Sequence, residues 1–183
     1  LEQGEFVTAS CFCRRDALEC VGGFDERFTT AWREDSDLQF MLMERGEGIV
    51  RAADAVVIHP VRPAAWGISI AQQRKSMFNA LLYKKHPQLY RERIQPSPPW
   101  RYYMICGSAA ASSVALAFGH RRASLAGMAM WAWLVGRFCA GCLRHTARTP
   151  RHIAEMIVTS ALLPPLAIYW RLRGALKYRV IFL

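Results

Sequence analysis

Charge is distributed unevenly along the 183 residues of this chain, and this asymmetry constrains its fold more than any other feature. Residues 1–99 hold 13 Lys and Arg against 13 Asp and Glu, so this part is formally neutral. Residues 100–183 hold the other 11 basic residues and a single acid, Glu155, which accounts for the whole formal charge of +10. A balanced composition is typical of a soluble domain, whereas apolar runs between basic clusters are typical of a membrane-associated chain. The sequence therefore predicts two parts with different environments.

Three apolar stretches follow a proline-rich linker in the basic part. We predict the linker at residues 96–100 and membrane-associated helices within residues 101–183, with candidate segments at 102–118, 124–143 and 153–170. The first candidate has 17 uncharged residues, which is close to the shortest helix that crosses a bilayer. Membrane lipids are therefore expected partners.

Charged and helix-breaking residues interrupt the other two candidates. Arg137 lies inside the second, where an ionised side chain needs a partner or a path to the lipid headgroups. Glu155 and the Pro164-Pro165 pair interrupt the third, so a re-entrant or interfacial helix competes there with a true span. A buried helical bundle of a soluble protein is the remaining alternative for this part.

The first part, residues 1–95, alternates stretches typical of strands with stretches typical of helices. Strands are predicted where β-branched and aromatic residues cluster, at residues 6–13, 49–51 and 55–59. Helices are predicted at residues 14–21, which Gly22 and Gly23 end, at a segment that begins within residues 29–38 and ends at Gly46 and Gly48, and at residues 69–86. The last helix is amphipathic, with Ile70, Met77, Phe78, Leu81 and Leu82 inward and Arg74, Lys75, Lys84 and Lys85 outward. This alternation predicts the α/β fold class.

Three acidic residues, Glu34, Asp35 and Asp37, crowd the first turn of the second predicted helix. Two interpretations stay open. The acids complement the positive end of the helix dipole, or one of them is a general base, within hydrogen-bond reach of the proton that it removes. Trp32 before the cluster and His59 at a predicted strand end favour a site, because an imidazole binds metals or phosphates.

Two motifs in this part resemble family 2 glycosyltransferases. Gly22-Gly23-Phe24-Asp25-Glu26 and, at the family's spacing, Trp32-Arg33-Glu34-Asp35-Ser36-Asp37-Leu38 are similar to its GGFDE and ED-x-DL motifs. The resemblance covers roughly residues 6–90. It implies a GT-A fold, which is a nucleotide-binding α/β sandwich (nucleotide-diphospho-sugar transferase-like), and this chain would hold its carboxyl, acceptor-side part.

The resemblance also implies an inverting transfer of a sugar from a nucleotide-sugar donor to an acceptor hydroxyl. Asp35 would be the base that deprotonates the acceptor, and Glu34 would orient the reacting groups. Trp32, Asp25 and Asp37 would bind the acceptor, which is a glycan or a lipid-linked molecule.

On the donor side, the resemblance places His59 near a divalent metal, Mg or Mn, and near the donor diphosphate. Arg74 and Lys75 are loosely similar to a basic motif near the donor phosphates, although the Trp that accompanies it in the family is missing here. A solvated helix face is an equal alternative for this pair. The chain opens at Leu1 as if within a domain, so we expect the Asp-x-Asp metal motif upstream and expect this fragment alone to be inactive.

These features together predict a membrane-associated inverting glycosyltransferase that acts on a lipid-linked or envelope polysaccharide acceptor. Nucleotide sugars are cytoplasmic, so we expect the catalytic part on the cytoplasmic side of the inner membrane. The alternative is a non-catalytic membrane adaptor that retains half of a GT-A domain. Nucleic acid is not an expected partner, because the basic residues interleave with apolar runs and residues 1–99 are neutral.

Overall fold

The computed structural model describes residues 6, 10–52, 54–56, 58, 64–144, 146 and 148–182. These residues form helices, and none of them lies in a β-strand. The α-helices are α1 (Arg15–Val21), α2 (Glu34–Glu44), α3 (Ile68–Gln72), α4 (Phe78–Lys85), α5 (Pro87–Arg93), α6 (Trp100–Ala117), α7 (Arg121–Leu143) and α8 (Pro150–Tyr178). A 3-10 helix, Gln73–Met77, joins α3 to α4.

The chain divides into two compact units. Unit 1 comprises Leu1–Pro63, Phe78–Pro96 and Gly174–Phe182, and unit 2 comprises Ala64–Met77, Ser97–Arg173 and Leu183. Unit 1 therefore contains the two family motifs, and unit 2 contains α6, α7 and most of α8.

Glycines end α1 and α2 where the sequence predicts. Gly22 follows α1 with φ 81°, a left-handed conformation that glycine adopts without steric cost, and its N–H donates to the Glu19 carbonyl at 3.1 Å. Gly46, with φ 76°, lies just beyond α2, and its N–H donates to the Met43 carbonyl at 3.0 Å. Both predicted helix ends are confirmed.

The predicted α/β fold class, and with it the partial GT-A sandwich, is wrong for the described residues. Residues 10–13, 49–51, 55, 56 and 58 were expected in strands and form none. Their apolar side chains are exposed: Val50 is 90% exposed and Ile58 is 89% exposed. A strand is stable only where a neighbour completes its hydrogen-bond ladder and covers one of its faces. In the described part of the chain no extended neighbour does so, and a β-forming composition alone produces no sheet.

Unit 1 packs its short helices through apolar side chains. Ala17 of α1 contacts Leu38 and Leu42 of α2. In α4 and α5 the side chains of Phe78, Leu81, Leu82 and Tyr90 are almost completely buried, and the Tyr90 ring lies 5.4 Å from that of Phe182. The predicted inward face is thus confirmed at Phe78, Leu81 and Leu82. The predicted single helix over residues 69–86 is instead divided into α3, the 3-10 helix and α4.

Unit 2 contains a helical hairpin of α6 and α7, turned at Gly119 with φ 77°. Ile105 of α6 packs with Leu134 and Val135 of α7. Near the turn the Ser112 hydroxyl donates to the Ser124 carbonyl at 2.8 Å. A Cβ on Gly127 would lie 2.9 Å from the Cβ of Ser112, so glycine permits the close approach of the two backbones.

Helices α7 and α8 are each long and apolar enough to cross a membrane, judged by length and composition. They have 23 and 29 residues, and only 17% of the most apolar stretch of each is buried. At 1.5 Å per residue the helices are about 34 and 43 Å long, against a hydrocarbon core of about 30 Å. Candidate segments 124–143 and 153–170 lie within them, and candidate segment 102–118 overlaps α6.

The two charged interruptions of these helices have partners within unit 2. The Arg137 guanidinium lies 5.1 Å from the ring centroid of Trp133, one turn earlier in α7. The Glu155 carboxylate of α8 accepts a hydrogen bond from the Gly67 N–H at 2.7 Å. Pro164 and Pro165 lie inside α8, which continues through them.

Candidate active site at the start of helix α2

The first turn of α2 presents two acidic side chains with unengaged oxygens. Asp35 is half-buried, and its Oδ1 accepts hydrogen bonds from the Ser36 N–H at 2.7 Å and the Ser36 hydroxyl at 3.4 Å. Within the described chain its Oδ2 accepts none. Glu34 Oε2 is buried and finds no partner among the described residues, and the same holds for the Thr30 hydroxyl four residues earlier in the chain. A buried carboxylate oxygen without a donor is costly, so it favours a ligand that donates there.

The residue that precedes α2 has an unusual backbone. Arg33 caps the helix with φ 76°, a left-handed conformation that side chains with a Cβ rarely adopt. Its Nε donates to the Asn79 side-chain oxygen at 2.7 Å, and its guanidinium lies 5.1 Å from the centroid of the Trp32 ring. Burial lowers the pKa of Arg33 from its ordinary value. Such strain persists only where the surroundings hold it, and it is often found at functional sites.

Asp37, two residues beyond Asp35, is completely buried and has both oxygens engaged. Its Oδ2 accepts a hydrogen bond from Lys85 Nζ at 2.6 Å, and its Oδ1 lies 3.1 Å from His86 Nε2. Lys85 also donates to Asp25 Oδ2 at 2.7 Å, so this ammonium joins the two family motifs. Asp25 further accepts from Arg27, with Nη2 2.6 Å from Oδ2. These bonds place both carboxylates in an ion-pair network.

The charges of this network shift two pKa values in opposite directions. Hydrogen bonds from Arg27 and then from Lys85 hold the pKa of Asp25 well below its usual range, although burial acts against them. Burial lowers the pKa of His86, but its hydrogen bonds with Asp37 and Glu44 outweigh burial and leave this pKa raised. At neutral pH the Asp25 carboxylate is therefore ionised and pairs with Arg27 and Lys85.

The site lies in a chain whose sequence matches one family over nearly its whole length. The family model described as Glycosyl transferase family group 2 matches residues 2–172. The chain belongs to this glycosyltransferase family. The resemblance seen in the two motifs is thereby confirmed. No curated protein and no solved structure matches the chain.

The structure brings together five of the predicted site residues of this glycosyltransferase. Trp32, Glu34, Asp35 and Asp37 lie in or next to the first turn of α2, and Lys85 links Asp25 to the same turn. Trp32 is 42% exposed, so much of its ring is open to solvent.

Two of the predicted donor-side residues belong to unit 2. Arg74, which is exposed, and Lys75, which is half-buried, lie in the 3-10 helix of unit 2, whereas Asp35 belongs to unit 1. His59 lies outside the described residues.

A divalent metal is expected of the family, and such an ion needs several oxygen, nitrogen or sulfur ligands that converge on one point. No group of three or more His, Cys, Asp or Glu side chains in the described ranges is arranged to hold one. In the α2 network, Lys85 and His86 already engage Asp37. The described residues therefore do not fit a metal site.

Sequence reasoning missed Lys85, His86 and Glu44. Lys85 was predicted to point outward, but only 19% of its side chain is exposed, because two carboxylates engage it. One signal was available. Asp37 and Glu44 are seven residues apart and so share one face of α2, and two carboxylates on a packed face need positively charged residues on the element that packs against it.

Proposed function

We propose that this chain is the acceptor-side part of a membrane-associated inverting glycosyltransferase, with Asp35 as its general base. The proposed donor is a nucleotide sugar, and the proposed acceptor is a lipid-linked or envelope polysaccharide. The observation that carries the proposal is the half-buried Asp35 carboxylate with its unengaged Oδ2, beside the partnerless buried oxygen of Glu34. Family membership supports the transfer of a glycosyl group.

In the proposed reaction an acceptor hydroxyl oxygen attacks the anomeric carbon of the donor sugar. The new carbon–oxygen bond forms as the bond to the diphosphate breaks on the opposite face, which inverts the anomeric configuration. Asp35 Oδ2 takes the hydroxyl proton, and the nucleoside diphosphate leaves with the bonding electrons. A carboxylate in this role accelerates the reaction by about 10²–10⁴-fold.

The acceptor contacts that the structure supports best are those of Trp32 and Glu34. The exposed Trp32 ring offers an apolar surface for a sugar face, and Glu34 Oε2 offers a buried acceptor for a sugar hydroxyl. Asp25 and Asp37 stay predicted contacts of the acceptor. Because Lys85 engages one oxygen of each, we propose that they also hold the start of α2.

The proposed location is the inner membrane, with the catalytic part on the cytoplasmic side where nucleotide sugars occur. The apolar, mostly exposed surfaces of α7 and α8 support membrane insertion over a soluble bundle. An active site beside the bilayer would give direct access to a lipid-borne acceptor. Arg74 and Lys75 stay predicted contacts of the donor diphosphate.

The test replaces Asp35 by Asn in the full-length protein, assayed in membranes with radiolabelled nucleotide sugars. We expect sugar transfer to fall by about 10²-fold or more, because the amide cannot take the proton, while binding of the nucleoside diphosphate is unchanged. Asp16→Asn is the matched control. Asp16 is also the second residue of a helix and accepts a hydrogen bond from the next backbone N–H, but it lies on the exposed surface of α1.

Full transfer by Asp35→Asn would refute the assignment of the base. Absence of transfer from every nucleotide sugar by the unchanged protein, combined with retention of a membrane partner, would favour the adaptor instead.

A further inference from the structure

Two adjacent residues, Lys85 and His86, hold both ends of α2. At the start of the helix, Asp37 accepts a hydrogen bond from Lys85 at 2.6 Å and lies 3.1 Å from His86 Nε2. At the end of the helix, Glu44 Oε1 lies 2.8 Å from His86 Nδ1. The imidazole therefore connects two carboxylates that are two helical turns apart on one face of α2.

The imidazole makes both contacts as a donor only when it carries a proton on each nitrogen. Neutral histidine has one N–H and one lone pair, and that lone pair would face a carboxylate oxygen. The ring is buried, 4% exposed, and it forms a T-shaped pair with the Phe40 ring, with 5.6 Å between centroids. Water therefore has little room to replace a lost hydrogen bond.

The charges around the ring balance only in its protonated form. The carboxylates are Asp37 and Glu44, which face His86, and Asp25, which shares Lys85 with Asp37. The cations are Lys85, Arg27 and the His86 imidazolium. Three negative charges then oppose three positive charges, whereas loss of the His86 proton leaves the network with one excess negative charge.

We infer that the His86 imidazolium is a positioning residue for transfer: it holds α2 in the orientation that presents Asp35 to the acceptor, so that transfer requires its proton. The inference rests on the proposed function, because it acts through Asp35. His86 itself contacts Asp37 and Glu44 and has no part in bond making. Asp35 lies in the same helical turn as Asp37, so a rotation or shift of that turn moves both side chains together.

The direction of the pH dependence follows from this arrangement. Burial lowers the pKa of His86, but the hydrogen bonds to Asp37 and Glu44 outweigh burial, so the pKa is raised overall. The protonated imidazole that positions α2 is therefore fully present below the ordinary pKa of histidine, about 6.5. It is lost as pH rises through the raised pKa. The turnover rate should decline on the alkaline side of its pH profile.

The decisive variant is Glu44→Gln in the full-length protein in membranes. Half of the Glu44 side chain is exposed, so the protein tolerates the change, and the amide oxygen still accepts from His86. Loss of the charge weakens the cause that raises the His86 pKa. We expect the alkaline limb of kcat to move to lower pH by about half a unit, with KM for the nucleotide sugar unchanged.

The matched control is Glu92→Gln, on the exposed face of α5, where the carboxylate accepts from Gln88 at 3.1 Å. We expect its alkaline limb to coincide with that of the unchanged protein. His86→Gln should have no alkaline limb, and its kcat should be lower by on the order of 10-fold to 100-fold at all pH values. A reacting group that is out of place slows a reaction by such a factor. Intrinsic tryptophan fluorescence across the range verifies that the limb does not come from unfolding.

The results separate the two proposals. If Asp35→Asn is inactive but the limb of Glu44→Gln coincides with that of the unchanged protein, the positioning role of His86 is refuted and the base assignment stands. An equal shift in Glu92→Gln would also refute it, because overall charge would then explain the effect. Full activity of Asp35→Asn would refute the proposed function itself.

Discussion

Lys85 illustrates how a single charge links distant parts of this chain. Its ammonium lies between Asp25 of the first family motif and Asp37 of the second, at 2.7 and 2.6 Å. Asp37 is 1% exposed at its side chain, so water cannot take the place of the lysine. Removing one partner of such a pair leaves an uncompensated buried charge. This lowers the free energy of unfolding by much more than the intact pair contributes to it.

The first prediction compares two neighbouring lysines. Lys85→Met should lower the free energy of unfolding by about 3 kcal/mol, because Asp37 is left buried and partly unpaired. Lys84→Met should cost no more than about 1 kcal/mol, since Lys84 Nζ only donates to the Tyr178 carbonyl on the exposed surface, at 2.8 Å. Urea unfolding of the detergent-solubilised protein measures both. Equal losses would contradict the buried network.

At the scale of elements, the helices of unit 2 depend on small side chains for close contact. Gly127 and Gly136 both lie in α7, but their surroundings differ. An added Cβ at Gly127 would lie 2.9 Å from the Ser112 Cβ and 3.1 Å from its Cα, whereas nothing lies within 4 Å at Gly136. Contact with backbone atoms of α6 cannot be relieved by rotating a side chain.

The second prediction uses this pair of glycines. Gly127→Ala should separate α6 from α7 and destabilise the hairpin by about 1–3 kcal/mol. Gly136→Ala should instead be neutral or stabilising by up to about 1 kcal/mol, because alanine has the higher helix propensity. Thermal unfolding in detergent provides the comparison, and a stabilising Gly127→Ala would show that the helices do not approach as described.

The elements also show what local sequence predicts and what it does not. The ends of α1 and α2 follow from Gly22 and Gly46, because glycine adopts positive φ without steric cost and needs no distant partner to do so. The predicted strands fail for the opposite reason. Val50 and Ile58 have the right composition but are exposed, since a strand requires a neighbour that composition cannot supply.

On the scale of the whole molecule, the charge asymmetry corresponds to the division into units. The neutral, motif-bearing part lies mostly in unit 1, and α7 and most of α8 lie in unit 2. The proposed cytoplasmic location of the catalytic part can be examined with the chain's own thiols. Cys13 and Cys20 are exposed in unit 1, whereas Cys139 in α7 is buried.

The third prediction concerns sidedness. A membrane-impermeant maleimide should label Cys13 and Cys20 in inverted inner-membrane vesicles and leave them unlabelled in vesicles of native orientation. Cys139 should remain unlabelled in both until the membrane is dissolved and the protein unfolded, which serves as the internal control. Labelling of Cys13 in native-orientation vesicles would place the catalytic part on the opposite side and refute the proposed location.

The sequence by itself determined the family, through two motifs at fixed spacing, and it determined the apolar helices and the glycine helix ends, because all of these depend on residues close together in the chain. It also indicated Asp35 as the candidate base. Only the tertiary structure decided that Asp37 is engaged by Lys85 and His86, that Lys85 points inward, and that the β-forming segments form no sheet among the described residues. Ion pairs across 48 and 49 residues, and the pairing of strands, depend on which distant groups meet, and local pattern carries no information about that.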